Sequence, residues 1–178
     1  MRRRILCMKG ADQVYAYCLF CDTLRCRTIA TELSRIPGCI CICPQIIQYK
    51  WVQGRPTEEI HDWLPGYLFL YTEEETDLYL IRQKVSGIIR YLGEAETHFQ
   101  LNGEDLRFAT MLRENGGVLG KVTLAEIGDR VHVKDPVWEN LHGTVVKLDR
   151  HRKRCCVSFP FDGKERNVWV GYEMVERE

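Results

Sequence analysis

Leu64-Pro65-Gly66-Tyr67-Leu68-Phe69-Leu70-Tyr71 decides how the chain must be assembled. A proline-glycine pair launches an apolar, aromatic run, the pattern of a turn feeding a buried strand. Side chains alternate across a strand, so Tyr67, Phe69 and Tyr71 share one sheet face and Leu68 and Leu70 the other. A strand apolar on both faces must be covered on both. Helices or loops of the same domain can do this, or the aromatic face can serve as a docking surface for a partner.

Working outward, Val14 to Asp22 reads as a buried strand, and Thr23 to Ile36 as a helix with Leu24, Ile29, Leu33 and Ile36 at helical spacing. Pro37-Gly38 stops it. Cys39 to Val52 reads as one long strand, with Pro44 marking a bulge or an edge. Gln53-Gly54-Arg55-Pro56 is a turn signal, and Thr57 to His61 a polar loop. Thr76 is placed to cap a helix running through Lys84, with Leu78, Ile81 and Val85 inward. Gly87 to Gly93 is a short strand bounded by glycines. Asn102-Gly103-Glu104-Asp105 opens a further helix that ends near Asn115-Gly116-Gly117.

The texture changes after that helix. Residues 116–123 are glycine-rich without a period, as expected of a linker. Short alternating runs then follow at Arg130 to Val133, Thr144 to Leu148, Cys155 to Phe159 and Val168 to Val170, separated by turn residues, as in a small all-β barrel. The expected fold class is therefore α+β: a first domain over 1–115 with an antiparallel sheet packed by helices, and a five-stranded barrel over 124–178.

With 178 residues and a formal net charge of zero, bulk charge points to neither nucleic acid nor membrane, and only local clusters can speak. No apolar run approaches the ~20 residues of a membrane span. The start, Met1 to Lys9, has a basic head, but Lys9 and Asp12 interrupt any hydrophobic region too early for a signal peptide, which points to the cytoplasm. Nine cysteines, an odd number without a secretory signal, are expected as reduced thiols.

Several of these stretches carry a resemblance. Gly128-Asp129-Arg130-Val131-His132-Val133, Gly143-Thr144-Val145-Val146 and Asp149 resemble the KOW motif. Leu64 to Phe69 and Ser86 to Gly93 resemble the N-terminal (NGN) domain of NusG-type transcription elongation factors. The order of NGN domain, linker and KOW domain is the family's, and the likeness runs from about Tyr15 to the end. Leu148 to Arg154 and Val170 to Val175 are most similar to the LoaP group of antiterminators. The chain departs from the family at Ala16-Tyr17, where Trp-Tyr is usual, and at Leu24 and Cys26, where Gly and Glu are usual.

The resemblance implies an operon-specific antiterminator, a monomer without a cofactor or catalysis of its own. Its N-terminal domain is expected to dock on the clamp helices of RNA polymerase through Phe20, Leu64, Tyr67 and Phe69, with Ile88 and Leu92 behind. The partner of the second domain is expected to be a nascent RNA hairpin in a leader transcript, or an exposed DNA strand. KOW domains of this type also bind ribosomal protein or Rho, and a ribosome- or RNA-associated module without polymerase contact is the alternative reading.

The residues themselves point to nucleic acid at one place. Lys147, Arg150, His151, Arg152, Lys153 and Arg154 fall within eight residues with a single acid, Asp149, and a hairpin tip would present them to phosphates. Lys164 and Arg166, on the next turn, are expected to extend the patch. The cysteines offer little: Cys18 and Cys21 would point to opposite faces of a strand, and the Cys39/Cys41/Cys43 ladder is too straight to wrap a tetrahedral ion, so no metal site is expected. His61, His98, His132, His142 and His151 are scattered with no nucleophile pattern beside them.

Overall fold

The computed structural model of the chain describes residues 14–93, 99–127 and 130–175. In chain order the elements are β1 (Tyr15–Cys21), α1 (Cys26–Leu33), β2 (Cys39–Ile42), β3 (Gln45–Val52), β4 (Arg55–Asp62), β5 (Tyr67–Thr72), α2 (Leu78–Lys84), β6 (Ile88–Tyr91) and α3 (Gly103–Glu114). There follow β7 (Val118–Leu119), β8 (Val122–Ile127), β9 (Arg130–Val133), α4 (Pro136–Asn140), β10 (Thr144–Asp149), β11 (Arg154–Phe161) and β12 (Lys164–Met174). The class is α+β, as the sequence predicts.

The first sheet has the order β2-β5-β1-β6. β5 lies inside it, antiparallel to both neighbours, and all six of its residues are buried. The alternation divides it as expected. Leu68 and Leu70 join a core with Ile29 and Leu33 of α1 and Leu78 and Ile81 of α2. Tyr67, Phe69 and Tyr71 join a second core with Phe108 and Leu112 of α3. The amphipathic spacing of α1 buries Cys26, Ile29, Ala30 and Leu33 on one stripe.

Three local expectations need correction. Cys39 to Val52 is not one strand: it breaks at Cys43-Pro44, and β2 and β3 belong to different sheets. Proline lacks the amide that would continue the ladder. Thr57 to His61 is not a loop but part of β4, which pairs with β3 along its whole length, from Gln45 opposite Asp62 to Val52 opposite Arg55. The turn between them uses positive φ at Gln53 and Gly54, the backbone that suits a two-residue hairpin. β4 reads as polar because it is an exposed edge, and glutamates and a proline are what such an edge carries. The third correction is at α2, which is capped by Asp77, whose carboxylate accepts from the amides of Tyr79 and Leu80, and not by Thr76.

The stretch 116–123 contains β7, parallel to β3, and the start of β8, parallel to β12. Only Gly120 and Lys121 lie between the two pairings. The second unit is a curled five-stranded sheet of order β10-β11-β12-β8-β9, with β10 and β9, at the two ends of that order, lying side by side. The short helix α4, capped by Asp135 with Pro136 at its first turn, carries the buried Trp138 and has no counterpart in the sequence reading. Gly128 and Asp129 lie outside the described residues.

Candidate functional site

The aromatic face of β5 is built around Gly66. Its φ of +90° is strained for any residue with a side chain, and a Cβ there would lie 2.5 Å from the Phe20 ring. Phe20 therefore lies close against the turn, and it meets Tyr67 edge-on at 5.2 Å. Arg90 of β6 sits over its outer side, 5.7 Å from the ring centroid.

This face is not open. Phe161 of β11 stands edge-on to Tyr67 at 5.6 Å and lies 5.7 Å from Phe69. Phe108 stacks on Phe159 at 5.7 Å with 15° between the rings, and Phe159 reaches Trp63 at 5.2 Å. Trp63 in turn meets Trp138 of α4 at 6.0 Å. One aromatic run thus crosses from the first unit into the second. Of the six residues expected to form a docking surface, Leu64, Tyr67, Phe69 and Leu92 are buried beneath the second unit or in the core it shares with the first, and Phe20 is half-buried at its edge. Ile88 is not behind that face at all. It packs on the opposite side of the sheet with Cys21, Ile29 and Leu68. Full burial of a ring such as Phe159 or Phe161 is worth about 2 to 3 kcal/mol each.

Polar contacts rim the aromatic contact. Arg166 donates from Nη2 to the Tyr67 hydroxyl at 3.0 Å and to Asp162 Oδ2 at 3.4 Å, with its guanidinium 5.4 Å from the Tyr67 centroid. Its buried Nε has no hydrogen-bond partner among the described residues. The amide of Asp162 donates to Asp105 at 3.1 Å, and Arg90 reaches Asp162 at 4.0 Å. On the far side of α3, Arg107 Nη1 lies 3.2 Å from His142 Nε2. The β3–β4 hairpin closes over the outer face of β12: Gln48 donates to the Trp169 carbonyl at 2.6 Å, and a Cβ at Gly171 would lie 3.3 Å from the Ile47 carbonyl oxygen. Lys121 bridges Glu58 of β4, at 2.9 Å, and Glu173 of β12. Those two carboxylates, hydrogen-bonded to the ammonium, hold the Lys121 pKa well up, and the ammonium in turn holds the Glu173 carboxyl below the usual range.

The basic segment is a hairpin tip, as expected, between β10 and β11. His151, Arg152 and Lys153 are exposed there. Arg150 is paired with Glu126 of β8. Asp149 accepts from the Arg152 amide at 3.0 Å and from Arg154 Nε at 3.3 Å, which together hold its carboxyl below the ordinary range. The single acid of the segment is thus consumed in shaping the turn. Lys164 and Arg166 do not extend this patch. β11 and β12 pair with Arg154 opposite Gly171 and Phe161 opposite Lys164, so the two turns lie at opposite ends of an eight-residue strand, roughly 24 Å apart.

Trp169 escaped the sequence reading, in which Val168-Trp169-Val170 is merely a β-favouring run. Its ring lies on the outer side of β12, with the Arg154 guanidinium 4.6 Å from its centroid and Lys147 Nζ at 6.0 Å. The signal was present in the alternation, since Val168 and Val170 on either side are buried.

The cysteines are free thiols among the described residues, and no group of three or more metal-ligating side chains is placed to hold an ion there. Cys21 and Cys26 lie 3.4 Å apart, and burial together with that contact pushes the Cys21 thiol up to about 12. No described helix is long and apolar enough to cross a membrane.

No family model matches the chain. It is 24% identical over 115 residues to the transcription termination/antitermination protein NusG of Rickettsia typhi, an alignment covering 64% of this chain and 60% of that protein. The chain thus spans under two thirds of that relative's length. A solved structure described as domain interaction in Thermotoga maritima NusG superposes with a TM-score of 0.56 at 16% identity, covering 91% of this chain and 96% of that one. The architecture described above, a helix-packed sheet joined to a curled five-stranded sheet, is therefore the fold of a NusG protein.

Proposed function

We propose that this chain is a transcription factor of the NusG type, acting without catalysis as an antiterminator specialised in the manner of the LoaP group. The aromatic face of Phe20, Leu64, Tyr67, Phe69 and Leu92 is the docking surface for the clamp helices of RNA polymerase. The exposed tip at His151, Arg152 and Lys153 engages the leader element, an RNA hairpin in preference to an exposed DNA strand. The observation that carries this reading is the aromatic face itself: large rings on a central strand, packed by the second unit through two phenylalanines. Aromatic residues in such a surface are the usual anchors of a protein interface. Docking therefore requires Phe159 and Phe161 to withdraw first, so that polymerase competes with the chain's own second unit for one surface.

The test uses the full chain and purified core RNA polymerase. Phe159→Ser with Phe161→Ser removes the cover and is expected to tighten binding at least tenfold. Adding Tyr67→Ala to that background is expected to reverse the gain. If the uncovered variant is folded in its first unit and binds polymerase no better than the parent, the docking assignment is wrong. The covered face combined with an exposed basic tip also favours a second reading, an RNA- or ribosome-associated module, for which ribosomes and not polymerase would co-purify with the full chain.

A further inference from the structure

Lys147 and Trp169, with the buried Cys156 between them, make a patch on the outer face of the barrel that the basic tip alone does not explain. Lys147, Cys156 and Trp169 stand opposite one another on β10, β11 and β12, so they form one row across three strands on a single face. Arg154 is two residues along β11 from Cys156 and shares that face. Its guanidinium lies against the indole at 4.6 Å, and Asp149 steadies it through Nε. Lys147 flanks the ring from β10 and has no carboxylate within ion-pair distance among the described residues. The half-buried Trp169 thus presents an aromatic surface on the outside of the barrel with two cations beside it.

We infer that Trp169, with Arg154 stacked on it and Lys147 beside it, is a platform for an unpaired base of single-stranded nucleic acid, whose phosphates run on to Arg152 and Lys153 at the tip. The chemistry matches on each count. Every base offers a π-face to an indole or a guanidinium plane, and the adjoining cations neutralise the backbone. The row at Trp169 lies two residues, about 7 Å, from the row at Arg154 where the tip begins, so both can be reached by one short strand. A perfect duplex cannot use the ring, because its bases are stacked within the helix. The required ligand is therefore unpaired: a loop, a bulge or an open strand. This inference rests on the assignment of the tip to nucleic acid and adds what kind of nucleic acid it takes.

Fluorescence anisotropy with the full chain tests it, using labelled single-stranded RNA about 12 nucleotides long, the DNA strand of equal sequence, and the RNA duplex. The parent is expected to prefer single strands to duplex. Trp169→Leu is expected to weaken single-strand binding about tenfold while leaving duplex binding unchanged, and Trp169→Phe to restore most of the loss. An equal effect on RNA and DNA identifies stacking alone, and a larger effect on RNA adds a 2′-hydroxyl contact; either outcome supports the platform. If Trp169→Leu and Trp169→Phe bind single strands like the parent while Arg152→Glu with Lys153→Glu abolishes binding, the platform is wrong and the tip assignment stands. If the charge reversal also changes nothing, or the parent prefers duplex, the tip assignment or the single-strand preference fails and the platform falls with it.

Discussion

Arg166 of β12 holds Tyr67 of β5 in two ways at once, by a 3.0 Å hydrogen bond to its hydroxyl and by a guanidinium lying 5.4 Å from its ring centroid. The two residues are ninety-nine positions apart in the chain and belong to different units. Tyr67→Phe deletes the acceptor and leaves the ring. The expected loss is about 1 kcal/mol, read as a lower urea midpoint at unchanged m-value. Arg166→Met removes the unpartnered Nε together with the donor, so the double variant should lose less than the sum of the two single losses.

Gly66→Ala is expected to cost more than any contact at the rim. The residue would combine a left-handed backbone with a Cβ pressed 2.5 Å from the Phe20 ring. Backbone strain alone contributes about 1 to 2 kcal/mol. Phe20→Leu in the same chain should recover part of the loss by relieving the clash, and thermal unfolding of the two variants measures both.

Phe161→Ala tests the shared core. The ring is buried against Tyr67, Phe69 and Phe108, and its removal should cost about 3 to 5 kcal/mol by the transfer and cavity costs together. Arg152→Ala, at the exposed tip, should leave the unfolding midpoint within about 0.5 kcal/mol of the parent. Equal effects of the two would contradict a core continuous across the units.

Asp62 supplies a pH dependence. Arg27 grips its carboxylate at 2.7 and 2.9 Å and Gln45 adds a bond at 3.0 Å, which holds its pKa below the ordinary value. The folded chain then binds a proton less readily than the unfolded one. Its contribution is complete above the unfolded value of about 3.9 and disappears as pH falls through the lowered folded value. Both side chains are substantially exposed, so the contribution is limited to about 1 kcal/mol or less. Asp62→Asn should therefore lower stability at pH 6 and converge with the parent near pH 2, followed by urea titration at each pH.

What the sequence made legible followed the rules of local periodicity. Tyr67, Phe69 and Tyr71 against Leu68 and Leu70 is a two-face pattern, and it was realised as two separate cores. The pattern could not say what would lie on the aromatic face, because alternation specifies burial and not the identity of the cover. β4 was missed for the opposite reason: Glu58, Glu59 and His61 interrupt any apolar period, and only its pairing with β3 makes it a strand. The placement of Lys164 and Arg166 beside the tip failed because nearness in sequence was taken for nearness in space. A strand of eight residues separates them from it. Trp169 was hidden in an apolar triplet whose flanking valines point inward.

The contact between Trp63 and Trp138, 6.0 Å apart on different units, has a spectroscopic consequence. Two indoles at that separation couple their excited states, so the pair gives the chain an intrinsic optical gauge of its own closure. Any ligand that draws the barrel away from β5 must uncouple them and bring water to both rings. The transition can then be followed in unlabelled protein, by near-ultraviolet circular dichroism and emission wavelength, while the rest of each unit stays folded.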